Sequence, residues 1–287
     1  MSDLSSQAAT WPPLPTRPEG LPEYEAPPID ETAIGVHFLP VTGYGPELVG
    51  DLYGRMRGQY PIFDDSQPRI EPVIEALTSE TSLRQSMTSF GISPTPGRIW
   101  LISADDSGLL QLQDNLLLCN WRRREAAYPR FEPNWERFGA ALLILRAVLR
   151  DSGLPELQIR QVEVTYINWI QGSSPSDFLA VVNGTNLSDV EFLGTPEFET
   201  WQARYLLHDD EAVFGRLSIG CVPAIRADTL APGVGYQLSF TVRNPVVPGT
   251  LTDDQLGELV HRSRLTIVKA FTALTTSEAH AAWGRTR

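Results

Sequence analysis

Lysine is almost absent from this chain, in which Lys269 is the single lysine and arginine supplies the remaining positive charge. Cysteine is equally scarce: Cys119 and Cys221 both lie in runs that favour strands. We therefore expect two buried free thiols in a reducing cytosol, and a disulfide-rich secreted scaffold is excluded. We attribute the lack of lysine to a codon bias of the genome in preference to a functional cause.

Long apolar runs are also missing, since none approaches the roughly 20 residues that a membrane-spanning helix needs. The N-terminal stretch MSDLSSQAATWPPLP has neither the basic nor the apolar segment of a secretory signal. A cytoplasmic location with no membrane attachment is expected. The formal net charge of -12 disfavours a general nucleic-acid binder and suits a basic partner or simple solubility.

The common catalytic signatures do not occur: the chain has no P-loop, dinucleotide-binding glycine motif, nucleophile elbow, HExxH or CxxC. The run HDDE at 208–211 is too short for its side chains to converge on one ion, so it is interpreted as a hairpin tip. No metal and no cofactor is expected. Convergent sites escape motif searches, so the question of catalysis stays open, with a non-catalytic protein favoured.

Strand-like runs followed by long amphipathic helices are what the sequence does contain. Three such runs are joined by turn-forming residues and predict a three-stranded meander: RIWLIS at 98–103, LLQLQ at 109–113 and LLLCNWRR at 116–123. A helix is expected from about Pro133 to just before Gly153, with one apolar stripe. Residues 154–170 then predict a long strand.

The same order of meander and helix recurs between about 197 and 276. Strands are predicted at 190–207, 212–222 and 235–243, and a final long helix begins at Thr252, which forms a capping box with Gln255. Strands cluster instead of alternating with helices, which indicates an α+β fold. We expect antiparallel meander sheets, each packed by a long amphipathic helix, with a pseudo-two-fold duplication as a hypothesis.

Three regions follow from this pattern. Residues 1–30 contain seven prolines and predict an N-terminal arm, disordered or draped over the body. Residues 31–172 form the first α+β half, beginning with a strand at 31–39 and a helix from Pro46. Residues 173–287 form the second half, in which Ser277 is expected to cap a last short helix. The pattern over 61–97 is less regular, and within it a strand or a short helix is expected at 70–77.

Several motifs occur together in one order: QYP at 59–61, LLQLQDNLLLCNW at 109–121, YPRFE at 128–132, EVTYIN at 163–168 and FTALTTSEAHAAWG at 271–284. In this order the chain resembles a sporadically distributed family of uncharacterised prokaryotic proteins of about this length. The resemblance covers nearly the whole chain after the arm and implies no activity or site residue. The patchy distribution of the family suggests an accessory gene of a defence, toxin-neutralising or stress system.

One candidate site is the arginine cluster Arg122–Arg124, with Arg130 nearby. The interleaved aromatic residues are Trp121, Tyr128 and Phe131. Arginines could hold phosphates while the rings stack on bases. The favoured alternative is a strand end whose exposed arginines pair with the acidic surface.

The strand EVTYIN carries a second candidate site, formed by Glu163, Thr165 and Asn168. Glu163 and Thr165 share a face with Gln161 and could line a polar cavity, where burial would raise the pKa of Glu163. The favoured alternative is a polar face that meets water, as on many antiparallel sheets.

Together these features favour a non-catalytic, macromolecule-binding protein whose partner is another protein. One alternative is a small-ligand sensor with a pocket between sheet and helix. The other is a nucleic-acid-associated component that acts through Arg122–Arg124. Exposed edge strands would allow a homodimer.

Overall fold

The computed structural model describes residues 11–77, 97–172, 174–180, 197–210, 212–226 and 233–287. The strands in these ranges are β1 (Ile29–Phe38), β2 (Ile62–Gln67), β3 (Arg98–Ile102), β4 (Gly108–Gln113), β5 (Leu116–Arg122), β6 (Ile159–Ile170), β7 (Trp201–His208), β8 (Val213–Arg226) and β9 (Gly233–Pro245). The helices are α1 (Pro46–Met56), α2 (Glu132–Asp151), α3 (Asp253–Leu274) and α4 (Ser277–Ala282).

All nine strands belong to one antiparallel sheet, in the order β2-β3-β4-β5-β1-β6-β9-β8-β7. The α+β class is confirmed, but the strands expected in separate sheets form a single one. The reason is that β1 pairs with β5 on one side and with β6 on the other, while β6 also pairs with β9. Two strands distant in the chain thus become the centre of the sheet.

The long helices lie against the middle of this sheet. α2 contacts β5 and β1, and α3 contacts β6 and β9. The predicted stripe of α2 is buried, with Trp135, Phe138, Leu142, Leu145 and Leu149 each at most 2% exposed. None of the helices in the described ranges is both long and apolar enough to span a membrane.

Several predicted boundaries shift. The long strand begins at Ile159 instead of 154, because the ladder with β1 starts only where Phe38 pairs with Ile159. In the predicted strand 190–207, the residues before 197 lie outside the described ranges, and the ladder begins at Trp201. Thr276, not Ser277, caps the last helix, since its hydroxyl accepts a hydrogen bond from the Ala279 amide.

The described part of the N-terminal arm is draped over the body. The Trp11 ring packs on Trp135 with centroids 4.8 Å apart, and the Trp135 indole donates to the Pro12 carbonyl at 2.8 Å. Tyr24 is buried and its hydroxyl bonds to Thr272 at 2.8 Å. Trp11 and Tyr24 of the arm therefore both contact the long helices.

Candidate functional site

One face of the sheet is polar along most of its width. Alternate residues of each strand point to opposite faces, so Val162 and Val164 face the helices while Glu163 and Thr165 face away from them. The polar residues that share this second face, here called the polar face, are Glu31, His37, Gln111, Gln113, Asn120, Gln161, Glu163, Thr165, Arg204, Arg216, Thr241 and Arg243.

A segment of the chain itself, residues 68–77, lies across the polar face. Gln113 of β4 donates to the Ile70 carbonyl at 2.8 Å and accepts from the Ile70 amide at 3.3 Å. Gln161 of β6 accepts from the Glu75 amide at 2.8 Å and donates to the Val73 carbonyl at 2.8 Å. Two side-chain amides therefore hold the segment by its backbone, as a neighbouring strand would.

The two contact points lie on strands that are not neighbours. β4 and β6 are three inter-strand steps apart, with β5 and β1 between them. Residues 70–75 therefore run across the strands.

The side chain of Glu75 is fully buried beneath this segment. One terminal nitrogen of Arg204 lies 2.9 Å from both carboxylate oxygens, and Nε of Arg216 lies 2.8 Å from one of them. Arg243 approaches at 3.7 Å, and Arg216 also donates to the Ala76 carbonyl at 2.9 Å. Three arginines from β7, β8 and β9 thus converge on one carboxylate, and they are called the arginine triad below.

Glu163 lies beside the arginine triad and shares Arg243 with it. Its carboxylate accepts a hydrogen bond from Nε of Arg243 at 2.6 Å, lies 3.1 Å from Nε2 of His37, and accepts from Thr165 at 3.3 Å. Burial raises the pKa of Glu163, but the Arg243 guanidinium and His37 outweigh it and hold this pKa well below its usual range. The expectation of a raised pKa is therefore wrong.

The favoured expectation that this strand face meets water is also wrong. Gln161 is 0% exposed and Glu163 is 9% exposed, because residues 68–77 cover them. Thr165 bonds to Thr241 at 2.9 Å on the same face. Asn168 lies apart from both predicted partners, on the helix side of the sheet, where it donates to the Leu238 carbonyl at 3.0 Å.

The arginine cluster at the end of β5 is engaged within the chain. Arg122 and Arg124 both bond to the Asp106 carboxylate, the second through Nε at 2.6 Å. Arg123 donates to the Pro27 carbonyl at 2.9 Å. These contacts fix the end of β5 and the arm. They also occupy N–H donors of the guanidinium groups that could otherwise bind a phosphate.

The aromatic residues interleaved with that cluster are packed inward. Trp121 is 2% exposed and Phe131 is 0% exposed, while the Tyr128 ring lies edge-on to Trp121 at 5.1 Å. Trp121 and Phe131 therefore have no exposed face on which a base could stack, and Tyr128 is half-buried. The geometry therefore does not favour the nucleic-acid alternative.

Tyr128, Arg130 and Asn168 meet at a different place, a cavity of about 70 Å³ on the helix side. It is bounded by the central strands, α3 and the arm. Arg130 has a positive φ of 77° and pairs with Glu23 of the arm at 3.1 Å. Sequence reasoning did not group these three residues, because a loop and a strand distant in the chain supply them.

Sequence reasoning missed Glu75 and the arginine triad. Glu75 falls at 70–77, where the expected strand or short helix is wrong, since these residues form neither. A signal was present in the arginines, since Arg204, Arg216 and Arg243 each interrupt an apolar strand pattern at a position of the same face. The described residues contain no group of histidine, cysteine, aspartate or glutamate able to hold a metal.

Comparison with known proteins assigns no family to the chain: neither a family model nor a curated protein matches it. Among solved structures, the substrate-free duplicated taurocyamine kinase from Schistosoma mansoni matches with a TM-score of 0.31 and 11% identity. The same kinase with bound transition state analog components gives 0.32 and 11%. Each match covers 85% of this chain and 33% of the other, so the chain spans about a third of their length. A likeness this slight transfers neither fold nor activity.

Proposed function

We propose that this chain is a non-catalytic, cytoplasmic protein that binds an extended segment of another protein across its polar face. The observation that carries the proposal is the way residues 70–76 are held there. Gln113 and Gln161 each form a donor and acceptor pair with the backbone of the segment. Recognition of an extended backbone in this way supplies affinity that depends little on the side chains of the ligand.

The arginine triad supplies the selectivity in this proposal. Arg204 and Arg216 contact the buried Glu75 carboxylate at 2.8–2.9 Å, and charge-assisted bonds of this kind are stronger than neutral ones. A partner segment with glutamate or aspartate at this position would replace Glu75. We therefore propose that residues 68–77 occupy the binding site of the partner segment when the partner is absent. The partner segment is proposed to be extended and acidic.

The non-catalytic part of the proposal rests on the ionisation of the buried groups. Glu163 is held as a carboxylate by Arg243 and His37. Burial raises the pKa of the Cys119 thiol to about 11 and that of the Cys221 thiol to about 12, so neither is a thiolate at neutral pH. Among the described residues these groups are poorly suited to transfer protons or to attack a substrate near pH 7.

A labelled peptide of residues 68–77, PRIEPVIEAL, tests the proposal by fluorescence anisotropy against the full chain. In the Glu75→Ala variant the resident segment loses its contacts with the arginine triad, so the added peptide should bind at least about tenfold tighter than to wild type. Glu71→Ala is the matched control. Glu71 lies in the same segment, but its carboxylate is 59% exposed and pairs with Arg69, so this variant should behave as wild type.

Two further binding measurements make the outcome decisive. A peptide with lysine in place of the glutamate at position 75 should not bind. The double variant Glu75→Ala, Gln161→Ala should bind the original peptide more weakly than Glu75→Ala alone. Equal binding of both peptides, or no binding by a folded Glu75→Ala variant, contradicts the proposal.

We also propose that the chain arose by duplication, with the repeat boundary before β6 instead of at residue 172. The strand order supports this: β1-β5-β4-β3 runs outward from the centre on one side, and β6-β9-β8-β7 on the other. A long helix follows each meander. If the halves are equivalent, residues 11–158 alone should pair β1 with a second β1 and form a dimer in light-scattering measurements, whereas a stable folded monomer contradicts the duplication.

A further inference from the structure

The cavity on the helix side lies on the opposite face of the sheet from the proposed peptide site. Central strands supply its floor with Tyr166 and Phe240, α3 supplies Arg264 and Ile267, and the arm covers it. Its volume of about 70 Å³ exceeds the roughly 10–15 Å³ that one water needs and is below the roughly 150 Å³ of a cavity that takes benzene. A ligand of about four to six non-hydrogen atoms matches this size.

Charged residues around the cavity are mostly cations. Those that line it are Arg17, Arg130, Arg264 and one carboxylate, Glu23. Arg17 and Arg130 share Glu23, at 3.2 and 3.1 Å. Arg287 also pairs with Glu23, at 3.5 Å, so three guanidinium groups divide one counter-charge there. An anion in the cavity would offset the excess of positive charge.

Arg264 is fixed in place at the inner end of the cavity. It is only 7% exposed, bonds to Glu132 at 2.6 Å and lies over the Phe131 ring at 4.9 Å. A guanidinium has five N–H donors; Arg264 bonds to Glu132 and to the Tyr166 hydroxyl, which leaves further donors. A preorganised cation with further donors is a suitable partner for a carboxylate.

The hydroxyls of Tyr128 and Tyr166 lie beside Arg264, with their oxygens 3.4 Å apart. This distance is long for an O–H···O hydrogen bond, so the two groups satisfy each other poorly. Burial raises the pKa of both side chains, which keeps both hydroxyls protonated as donors. Phe240 and Ile267 supply an apolar part of the lining.

We propose that this cavity binds a short-chain monocarboxylate of about the size of propionate. The carboxylate accepts from Arg264 and from the hydroxyls of Tyr128 and Tyr166, and the alkyl group packs on Phe240 and Ile267. The arm covers the bound ligand.

Ligand-observed NMR on the full chain tests the proposal with sodium propionate. Propionamide is the neutral isostere, and sodium chloride controls for ionic strength. We expect millimolar binding of propionate and at least tenfold weaker binding of propionamide. Tyr128→Phe removes one donor and should weaken propionate binding about fivefold or more, whereas Tyr53→Phe removes a hydroxyl that bonds to the Pro61 carbonyl far from the cavity and should leave binding unchanged.

Val268→Phe adds a ring from the side of α3 that lines the cavity and should abolish propionate binding. Should that variant fail to fold, the comparison of Tyr128→Phe with Tyr53→Phe still decides. Equal binding of propionate and propionamide, or equal binding by the two tyrosine variants, overturns the proposal. Because the peptide site lies on the other face, either proposal can fail without the other.

Discussion

Glu163 connects three strands through one carboxylate, since it contacts Thr165 on its own strand, His37 on β1 and Arg243 on β9. Its side chain is 12% exposed, so water screens these contacts little. Removing one partner of a buried ion pair leaves the other charge without compensation, and this cost exceeds the value of an exposed pair.

Glu163→Gln should therefore lower the free energy of unfolding by about 3 kcal/mol near pH 7. The folded-state pKa of Glu163 is below its unfolded value, so the stabilisation is full above the unfolded pKa of about 4.3 and is lost as the pH falls through the folded pKa. Urea unfolding between pH 3 and pH 7 should show that the difference in stability between the two proteins begins to narrow below about pH 4.

Glu71→Gln is the control for that series, because the Glu71 carboxylate is 59% exposed beside Arg69 and exposed pairs contribute at most about 1 kcal/mol. A constant difference between wild type and Glu163→Gln over the whole pH range would show that the carboxylate's charge is not what stabilises the fold.

For single residues, the sequence predicted the strand face on which a side chain lies better than it predicted the groups that surround that side chain. Strand alternation correctly placed Glu163 and Thr165 on one face, because the period of two is a local property of the backbone. It did not predict that the face is covered by residues 68–77, nor that Arg243 and His37 reach Glu163 from distant parts of the chain. The direction of the pKa shift depends on those partners and was therefore predicted with the wrong sign.

Among the elements, α3 has a capping box that is evident from the sequence. The Thr252 hydroxyl accepts from the Gln255 amide at 3.2 Å, and the Gln255 side chain accepts from the Thr252 amide at 3.0 Å. Thr252→Ala should cost about 1 kcal/mol in thermal or urea unfolding. Thr252→Ser keeps the hydroxyl and should remain within a few tenths of wild type, so equal losses in both variants would mean that the cap contributes nothing.

Elements stabilised by local contacts were predicted well and the covering segment was not. The bounds of α1, α2 and α3 follow from proline positions, caps and apolar stripes, all within one helix length. Residues 68–77 form neither helix nor strand, because their backbone bonds go to Gln113 and Gln161 side chains. The strand or short helix expected at 70–77 was wrong, because the pattern of residues does not show bonds to distant side chains.

For the whole molecule, attachment of the arm depends on one small residue. A Cβ added at Gly139 would lie 2.3 Å from the Trp11 ring, so Gly139→Ala should displace that ring and speed proteolysis near residue 11. Alanine normally stabilises a helix relative to glycine by about 1 kcal/mol. In a Trp11→Ala background the same change should therefore stabilise the protein, and an equal stabilisation in both backgrounds would contradict the contact.

The strand order of the sheet is the feature of the whole molecule that no local pattern predicted. Hairpins such as β4–β5 follow from the turn at Asp114-Asn115. The pairing of β1 with β5 and with β6 joins segments far apart in sequence, and it places the polar face, the arginine triad and residues 68–77 together. The cavity under the arm depends on the same long-range arrangement.

The most direct measurement is a crystal structure of the full-length Glu75→Ala variant with the PRIEPVIEAL peptide bound. We expect the peptide to lie across β4, β5, β1 and β6. Its second glutamate should contact Arg204 and Arg216, where the Glu75 carboxylate lies in the wild type. The proposed peptide site is contradicted if the peptide binds elsewhere. It is also contradicted if residues 68–77 still contact Gln113 and Gln161 and the added peptide is absent.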